Sequence, residues 1–343
     1  MQAQPLSYQQ VAITPDGRRA YVTNARPGTG TVLVIDTISN ALVSSPIPVG
    51  MGPAGIAITP EGKFAYVANG FSSTVSVIAT ASDTVVDSID VGFEPTGVAI
   101  TPDGKRAYVA NGGVRTLGGG TVSVIDTATN TVVGNPIRVG DSPAFIAITP
   151  DGKKVYVNNA NSNNVSVIDA ISQSVKTTIP VGDFPIAIAI TPDGRRIYVG
   201  DFALHNGSIA VIDTAIDTVV TRVTLPPNSV IEGVAVTPDG TRVYATNNGG
   251  VPGMPLEQVF AIDTASNTVV GAPITVGTMP EGIAITPTPT PPTPPPPIDP
   301  SAIPTLSEWG LIMLIGFLGM ASGYCLEKQR NTSGSTGFLV GRD

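Results

Sequence analysis

The chain has 343 residues and a formal net charge of −8, with 42% hydrophobic and only 13% charged residues. This acidic balance excludes the broad basic surface that nucleic-acid binding requires. A single cysteine, Cys325, and a single histidine, His205, exclude a disulfide framework and a zinc site built from several Cys or His ligands. With 38 Gly and 32 Pro, the composition favours a sheet protein with many tight turns.

The first ten residues, "MQAQPLSYQQ", precede any recognisable pattern. They contain no basic start followed by an apolar run, so they do not form a signal peptide. We treat residues 1–10 as a lead-in to the region that follows.

A 14-residue pattern then recurs along most of the chain. It reads "VAITPDGRRAYVTN" at 11–24, and near-copies begin at positions 56, 98, 146, 188 and 234, while "IAITP" at 283–287 begins a seventh copy that stops. The pattern's proline stands at positions 15, 60, 102, 150, 192, 238 and 287, so the copies are 42 to 49 residues apart. Periods of this size with only strand signals are typical of propeller blades.

Each repeat predicts four short strands, a to d. In the third repeat they are "GVAIT" (97–101), "RAYVAN" (106–111), "TVSVID" (121–126) and "TVVGNPIRVG" (131–140). The "TPDG" between strands a and b is a turn, because Pro fixes φ at its second position and Gly accepts a left-handed conformation. Valine and isoleucine alternate in strands b and c as in pleated strands packed between blades. An alanine recurs in strand a, which we interpret as a small residue where the inner strands crowd the axis.

The repeat region, about 11–287, resembles the YVTN family of β-propeller repeat proteins, and residues 21–24 spell "YVTN". The resemblance implies an all-β propeller of four-stranded blades, commonly seven, in an exported or cell-surface protein. Six complete units and a lone seventh inner strand leave two alternatives. The ring has six blades and a spare strand, or it is an incomplete seven-bladed ring whose missing strands preceded Met1. We favour the second, which makes residues 1–10 a truncated lead-in and explains the missing signal peptide.

Residues 288–302, "TPTPPTPPPPIDPSA", predict a linker. Proline at this density favours extended polyproline II, which would reach about 45 Å. Proline donates no ladder hydrogen bond, so the repeat cannot continue into this segment as a central strand.

Residues 303–330 resemble an IPTL-type C-terminal sorting signal. The motif residues are Ile303, Pro304, Thr305, Leu306, Trp309 and Gly310. The stretch 309–326 has no charge and would span about 27 Å as a helix, enough to cross a bilayer core. Lys328 and Arg330 follow, which predicts a cytoplasmic C-terminus and a propeller outside the cytoplasm. The resemblance implies processing by an exosortase-like membrane enzyme, although a polar tail, 331–343, runs on where such signals usually end.

Propeller geometry sorts the charged residues onto two faces. The a–b and c–d turns share one face, here called the turn face, and the d–a and b–c loops share the opposite, loop-rich face. Ten lysines and arginines lie near the a–b turns, but turn aspartates alternate with them, so we expect a self-neutralised face. Five aspartates that end strand c (Asp36, Asp126, Asp169, Asp213 and Asp263) are interpreted as turn-forming rather than metal ligands.

The loop-rich face carries the predicted binding site, because variable loops on a rigid scaffold are the usual place for binding. Its candidate residues are Arg26, Glu94, Arg115, Asp141, Asp183, Asp201, His205, Glu232 and Glu281. This acidic rim would attract cations or basic partners. We predict no catalytic residue, metal or cofactor.

The predicted function is therefore a non-catalytic, surface-displayed propeller. It would be held at the cell envelope by its C-terminal helix and would present the loop-rich face to an extracellular polymer, cation or protein. A lactonase-like hydrolase is the first alternative, since lactonase-type propellers have a related architecture. A nucleic-acid-binding propeller is the second, and the net charge argues against it.

Overall fold

The computed structural model describes residues 9–25, 30–112, 119–202, 207–227, 229–248, 257–277, 280–287 and the strand 338–340. The predicted linker, sorting motif and transmembrane segment lie outside these residues. The described part of the chain contains only strands, turns and loops, which confirms the all-β prediction. It holds no helix long and apolar enough to cross a membrane.

The a–b turn shows why the repeated "TPDG" folds as it does. In the third blade Gly104 N donates 2.8 Å to Thr101 O, which closes the turn, and Gly104 has a φ of 71°. The side chain of Thr101 donates to Asp103 Oδ1 at 2.6 Å, and the same carboxylate accepts Lys105 N at 3.0 Å. These bonds satisfy the turn locally and hold the pKa of Asp103 below its ordinary value, chiefly through Thr101.

Six antiparallel sheets follow one another along the chain, and each forms a blade. Blades one to three contain β1 (Val11–Ile13), β2 (Arg19–Asn24), β3 (Gly30–Asp36), β4 (Ala41–Leu42), β5 (Ile47–Val49); β6 (Pro53–Ile58), β7 (Phe64–Asn69), β8 (Thr74–Ala79), β9 (Thr84–Asp90); β10 (Pro95–Ile100), β11 (Arg106–Asn111), β12 (Thr121–Asp126), β13 (Thr131–Val132) and β14 (Ile137–Arg138). Blades four to six contain β15 (Pro143–Ile148), β16 (Lys154–Asn159), β17 (Asn164–Asp169), β18 (Ser174–Pro180); β19 (Pro185–Ile190), β20 (Arg196–Asp201), β21 (Ser208–Asp213), β22 (Thr218–Thr224); β23 (Ile231–Val236), β24 (Arg242–Asn247), β25 (Gln258–Asp263), β26 (Thr268–Val269) and β27 (Ile274–Thr275).

The outermost strand, d, differs from the continuous strand that the sequence predicts in three blades. In blades one, three and six it is split into two short pieces that pair with the same strand c. Each split blade carries an inserted proline between the pieces, Pro46, Pro136 or Pro273. Proline cannot donate a ladder bond, so the strand breaks there and resumes after it.

The inner strands form a ring that a seventh strand completes. β28 (Ile283–Ile285) contacts both β23 and β1. On the turn face a Cβ built on Gly17 would lie 3.8 Å from Cδ of Pro287, and the same Pro-to-Gly packing joins successive blades, for example Pro15 to Gly62 at 3.2 Å. The lone seventh strand therefore occupies an inner-strand position between blades six and one.

A short strand near the C-terminus, β29 (Phe338–Val340), pairs with β28. Ala284 faces Leu339 across this pair, as Ala12 faces Tyr21 between β1 and β2. The segment thus takes the position of a strand b, whereas the sequence predicted only a polar tail there.

Tyrosines of strand b connect successive blades. Tyr21 Oη donates to Asp83 Oδ1 in the next blade's c–d turn at 2.6 Å, and Tyr66 and Tyr198 donate to Asn130 and Asn267 at 2.6 and 2.8 Å. These tyrosines are buried, and burial raises their pKa. Each hydroxyl therefore reaches a polar partner across an otherwise apolar interface.

The recurring alanine of strand a is explained by these tyrosines. The alanine and the tyrosine are cross-strand partners in each complete blade, for instance Ala57 with Tyr66 and Ala147 with Tyr156. The small side chain leaves room for the ring between blades. The inner strands also approach closely at glycines that precede this alanine: a Cβ on Gly97 would lie 2.4 Å from Ala144 O.

Candidate functional site

A central channel opens at the loop-rich face, where the inner strands begin. It holds a cavity of about 160 Å³. Aliphatic side chains from equivalent positions of six inner strands line it: Ile56, Val98, Ile146, Ile188, Val234 and Ile283. Among the described lining residues, the polar side chains are Gln10 and Glu232, and the only aromatic one is Phe145. The channel mouth is thus a largely apolar space with one carboxylate.

Glu232, near the start of β23, is the predicted site residue that lines this channel. Its side chain is buried, with the residue only 9% exposed, and Asn248 Nδ2 donates to its Oε1 at 2.7 Å. Burial raises the pKa of Glu232 to about 6, and the Asn248 bond opposes that rise only in part. No charged group of the described residues contributes to the shift. A buried carboxylate without a cationic partner is unusual and marks a candidate functional group.

Glu281 occupies the equivalent position of the neighbouring inner strand. It is half-buried, and its Oε2 accepts Gln9 N at 2.6 Å. The backbone of Gly282 lies close to Gln9 and Gln10, so this carboxylate sits at the junction between the seventh strand and the first blade. The bond to Gln9 serves ring closure, and the position of Glu281 beside the strand of Glu232 adds negative charge to the same side of the mouth.

Asp201, at the end of β20, is buried away from the channel lining. Ser208 Oγ donates to its Oδ2 at 2.8 Å, and Arg222 lies 3.6 Å from the same oxygen. Burial raises the pKa of Asp201 to about 6, because it outweighs the Ser208 bond and the Arg222 charge. Blades two to four carry Asn69, Asn111 and Asn159 at this position, each donating to a side chain of strand c. Asp201 therefore fills a structural position of the repeat.

Three other predicted residues, Glu94, Asp141 and Asp183, are exposed in consecutive d–a loops. Asp141 Oδ1 accepts Gly119 N at 2.6 Å, and Asp183 Oδ1 accepts Asn163 Nδ2 at 3.3 Å. They form an acidic rim spread over three blades. The remaining three, Arg26, Arg115 and His205, lie outside the described residues.

Sequence reasoning missed the residues that shape the mouth. Phe145 stands where four other inner strands have Gly55, Gly97, Gly233 and Gly282, and this departure from the repeat was a readable signal. Two further aromatic residues, Phe184 and Phe202, pack with Phe145 on the same small hydrophobic core. The ring centroids of Phe184 and Phe202 are 5.9 Å apart.

The same face carries exposed apolar side chains over blades two and three. Met51, Phe71 and Phe93 are 52%, 54% and 66% exposed. Phe71 lies over Gly52, where a Cβ would stand 2.7 Å from its ring. These side chains adjoin the acidic rim and broaden the surface available to a partner.

The turn face is largely neutralised, as predicted. Seven of its ten cations form ion pairs with aspartates: Arg19, Arg106, Lys153, Lys154, Arg195, Arg196 and Arg242. The aspartates that end strand c also accept backbone N–H groups of the c–d turn, as Asp126 Oδ1 accepts Ala128 N at 3.0 Å and Thr129 N at 3.2 Å. Their role is structural. Within the described residues, no group of three or more His, Cys, Asp or Glu could hold a metal ion.

Comparison with known proteins agrees with this architecture. Residues 9–178 match the family described as Lactonase, 7-bladed beta-propeller, and residues 301–321 match the IPTL-CTERM motif. Among solved structures, the hydrazine synthase of Kuenenia stuttgartiensis is similar, at 24% identity and a TM-score of 0.71, over 84% of this chain and 93% of that chain. At this identity the likeness concerns the fold alone. A search of curated proteins gave no match. The chain is a β-propeller repeat protein that carries an IPTL-CTERM motif at its C-terminal end.

Proposed function

We propose that this protein is a non-catalytic propeller displayed at the cell envelope, which binds an extracellular partner at its loop-rich face. The observation that carries this proposal is the IPTL-CTERM match at 301–321, downstream of the propeller. The motif leads into the uncharged stretch 309–326, and Lys328 and Arg330 follow it. This order supports transient or lasting membrane attachment and handling by an exosortase-like enzyme, with the propeller outside the cytoplasm. Because 338–340 follow the apolar stretch, this location requires the β28–β29 pair to open when 309–326 enters the membrane.

The exit point of the chain supports the assignment of the binding face. Strand a runs from the loop-rich face toward the turn face, and Pro287 packs against the turn residue Gly17. The chain therefore leaves the propeller on its turn face. Tethering from that face leaves the loop-rich face, with its channel mouth and acidic rim, accessible to a partner.

Surface display is tested in cells of the native host that carry the full chain with an epitope tag in an exposed turn of blade two. Protease added to intact cells should remove the tag, while a cytoplasmic marker stays intact. A Leu314→Lys variant places a charge in the apolar stretch, which costs roughly 3 kcal/mol of insertion free energy. We expect this variant to be found in the soluble fraction or the medium.

Processing is tested separately by the size of the mature protein. Cleavage near the motif should shorten the wild-type chain, and a Pro304→Ala, Thr305→Ala double variant should stay at full length.

In the display experiment, a tag that resists protease in intact cells but is cut after lysis would contradict surface display.

A hydrolase is the second candidate, because residues 9–178 match the Lactonase family. In that case Glu232, with a pKa of about 6, is the group of the described channel best placed to act as a general base. A panel of lactones incubated with the full-length protein tests this. Turnover that is lost in Glu232→Gln or His205→Ala would favour the enzyme over the non-catalytic binder.

A further inference from the structure

The carboxylate of Glu232 lacks the partner that a buried charge normally has. It is nine-tenths buried, the side chain of Asn248 that donates to it is a neutral amide, and no charged group of the described residues contributes to its environment. Asp201, the other strongly buried carboxylate of this half of the molecule, has Arg222 at 3.6 Å. Buried carboxylates are normally compensated by a cation. Glu232 faces a cavity instead, and the compensating charge is therefore expected from a ligand.

The cavity defines the rest of that ligand. Its volume of about 160 Å³ is close to that of an apolar protein cavity that accommodates one benzene ring, roughly 150 Å³. Its walls are valine and isoleucine side chains and the backbone of closely packed glycines. Phe145 adds an aromatic ring, whose face attracts cations when they are desolvated. A small apolar group with one cationic end matches both the walls and the acid.

Other ligand classes fit less well. The described lining contains no lysine, arginine or histidine, so an anion would meet only Glu232. A metal ion needs several ligands, and no group of three or more His, Cys, Asp or Glu that could hold one occurs in the described part of the chain. A neutral ligand would leave the carboxylate uncompensated.

We propose that the channel mouth binds an organic ammonium ion, with its ammonium group on Glu232 and its apolar body between the inner strands beside Phe145. This inference rests on the proposed function in one respect: the ligand reaches the channel from the loop-rich face. It adds the chemical class of the ligand, which the acidic rim would concentrate at the mouth.

The test uses the purified full-length protein in mild detergent and benzylammonium as the probe. Binding is measured by isothermal titration calorimetry and by ligand-observed saturation-transfer NMR at neutral pH. Benzyl alcohol is the neutral counterpart and benzoate the anionic one. We expect benzylammonium to bind and the other two to bind at least tenfold more weakly. The Glu232→Gln variant should lose roughly ten- to hundredfold in affinity, because the charge-assisted bond is removed.

Three variants separate recognition from folding. Glu232→Gln keeps an oxygen that can accept the Asn248 bond, so the fold should persist, as circular dichroism and the unfolding midpoint will show. Asp90→Asn removes an exposed acid from the outer strand β9, which does not line the channel, and should change affinity less than threefold. Phe145→Leu keeps apolar volume but removes the ring, and should weaken benzylammonium binding severalfold.

Absence of benzylammonium binding to the wild type would overturn the proposal. Equal binding of benzyl alcohol, or unchanged affinity in a folded Glu232→Gln variant, would do the same. These results come from purified protein, whereas display is measured by protease access in cells. Failure of ligand recognition is therefore distinguishable from failure of the proposed location.

Discussion

Replacing Asp201 by asparagine is expected to stabilise this propeller at neutral pH. The residue is only 2% exposed, its Oδ1 has no hydrogen-bond partner among the described residues, and the other five blades carry asparagine at the same place. In blade two, Asn69 Nδ2 donates to Thr74 Oγ1 at 3.1 Å. The amide that Asp201→Asn introduces can donate to Ser208 Oγ in the same way, so the substitution restores the bond pattern of the repeat and removes a buried charge.

The magnitude follows from the pKa. Burial raises the pKa of Asp201 from 3.8 to about 6, and each pKa unit corresponds to about 1.4 kcal/mol, so the charged form costs roughly 3 kcal/mol of folding free energy. A carboxyl whose folded pKa is raised contributes its stability in full below its unfolded pKa. That contribution is lost as pH rises through the folded pKa. The window for Asp201 therefore runs from about pH 4 to about pH 6.

The assay is chemical unfolding of the wild type and Asp201→Asn at a series of pH values, with full-length protein in the same detergent. The stability difference between variant and wild type should grow by about 2 to 3 kcal/mol from pH 4 to pH 7. Loss of the half-exposed Arg222 contact offsets the gain at neutral pH by at most about 1 kcal/mol. Asp90→Asn, an exposed carboxyl in β9, is the control and should show no such growth. Stability curves of Asp201→Asn and wild type that run parallel in pH would refute the reasoning.

Three further predictions concern packing. Gly97→Ala should cost about 1 to 3 kcal/mol of unfolding free energy, because its Cβ would meet Ala144 O at 2.4 Å. Gly70→Ala, where the nearest atom is 3.4 Å away, should cost less than about 1 kcal/mol, and equal losses would contradict the close approach of the inner strands. Tyr156→Phe removes the 2.5 Å bond to Asp217 Oδ1 and should lower the unfolding free energy by about 1 to 2 kcal/mol. Tyr108→Phe should lower it less, because no such bond is found for Tyr108 in the described residues, and denaturant midpoints of the two variants test this difference. Deletion of residues 338–343 should speed amide hydrogen exchange at 283–285, because β29 pairs with that strand. Mass spectrometry measures the exchange, and an unchanged rate would argue against the pairing.

Much of the fold could be predicted because each repeat states its own local structure. The "TPDG" turn, the valine and isoleucine alternation and the strand-c aspartate each act within a few residues, and the structure confirms the six blades they imply. Contacts between blades were harder to predict. Tyr21 and Asp83 are 62 positions apart, and nothing in the local pattern joins them. The cross-strand pair of the strand-a alanine with a tyrosine, by contrast, lies within one blade and only nine positions apart, as for Ala12 and Tyr21.

The candidate site shows a sharper limit. Glu232 and Glu281 both precede a glycine at the start of an inner strand, in "IEGVAV" and "PEGIAI", and the local pattern offers no ground to separate them. In the structure, Glu281 accepts a backbone N–H from Gln9 at 2.6 Å, while Glu232 is held by Asn248 and faces the channel. Asn248 lies in the same blade as Glu232, whereas Gln9 precedes the first blade, so the difference between the two acids arises where the ring closes.

A repeated scaffold makes departures from the repeat informative, because the other blades show what the position needs structurally. By this measure Asp201 and Glu232 belong to different classes. The asparagines at positions equivalent to Asp201 make the structural contacts without a charge, so the charge of Asp201 only lowers the folding stability. Glu232 differs, because blades two to five carry no acid at its place, where Ala54, Thr96, Ala144 and Ile186 stand. Its raised pKa, from 4.5 to about 6, means that the charged form destabilises the fold by about 2 kcal/mol at neutral pH. Glu232→Gln should therefore stabilise the protein above pH 6 while weakening benzylammonium binding, the opposed pair of effects expected of a binding group held at the expense of stability. A variant that stabilises the fold and leaves amine binding unchanged would place Glu232 in the same class as Asp201.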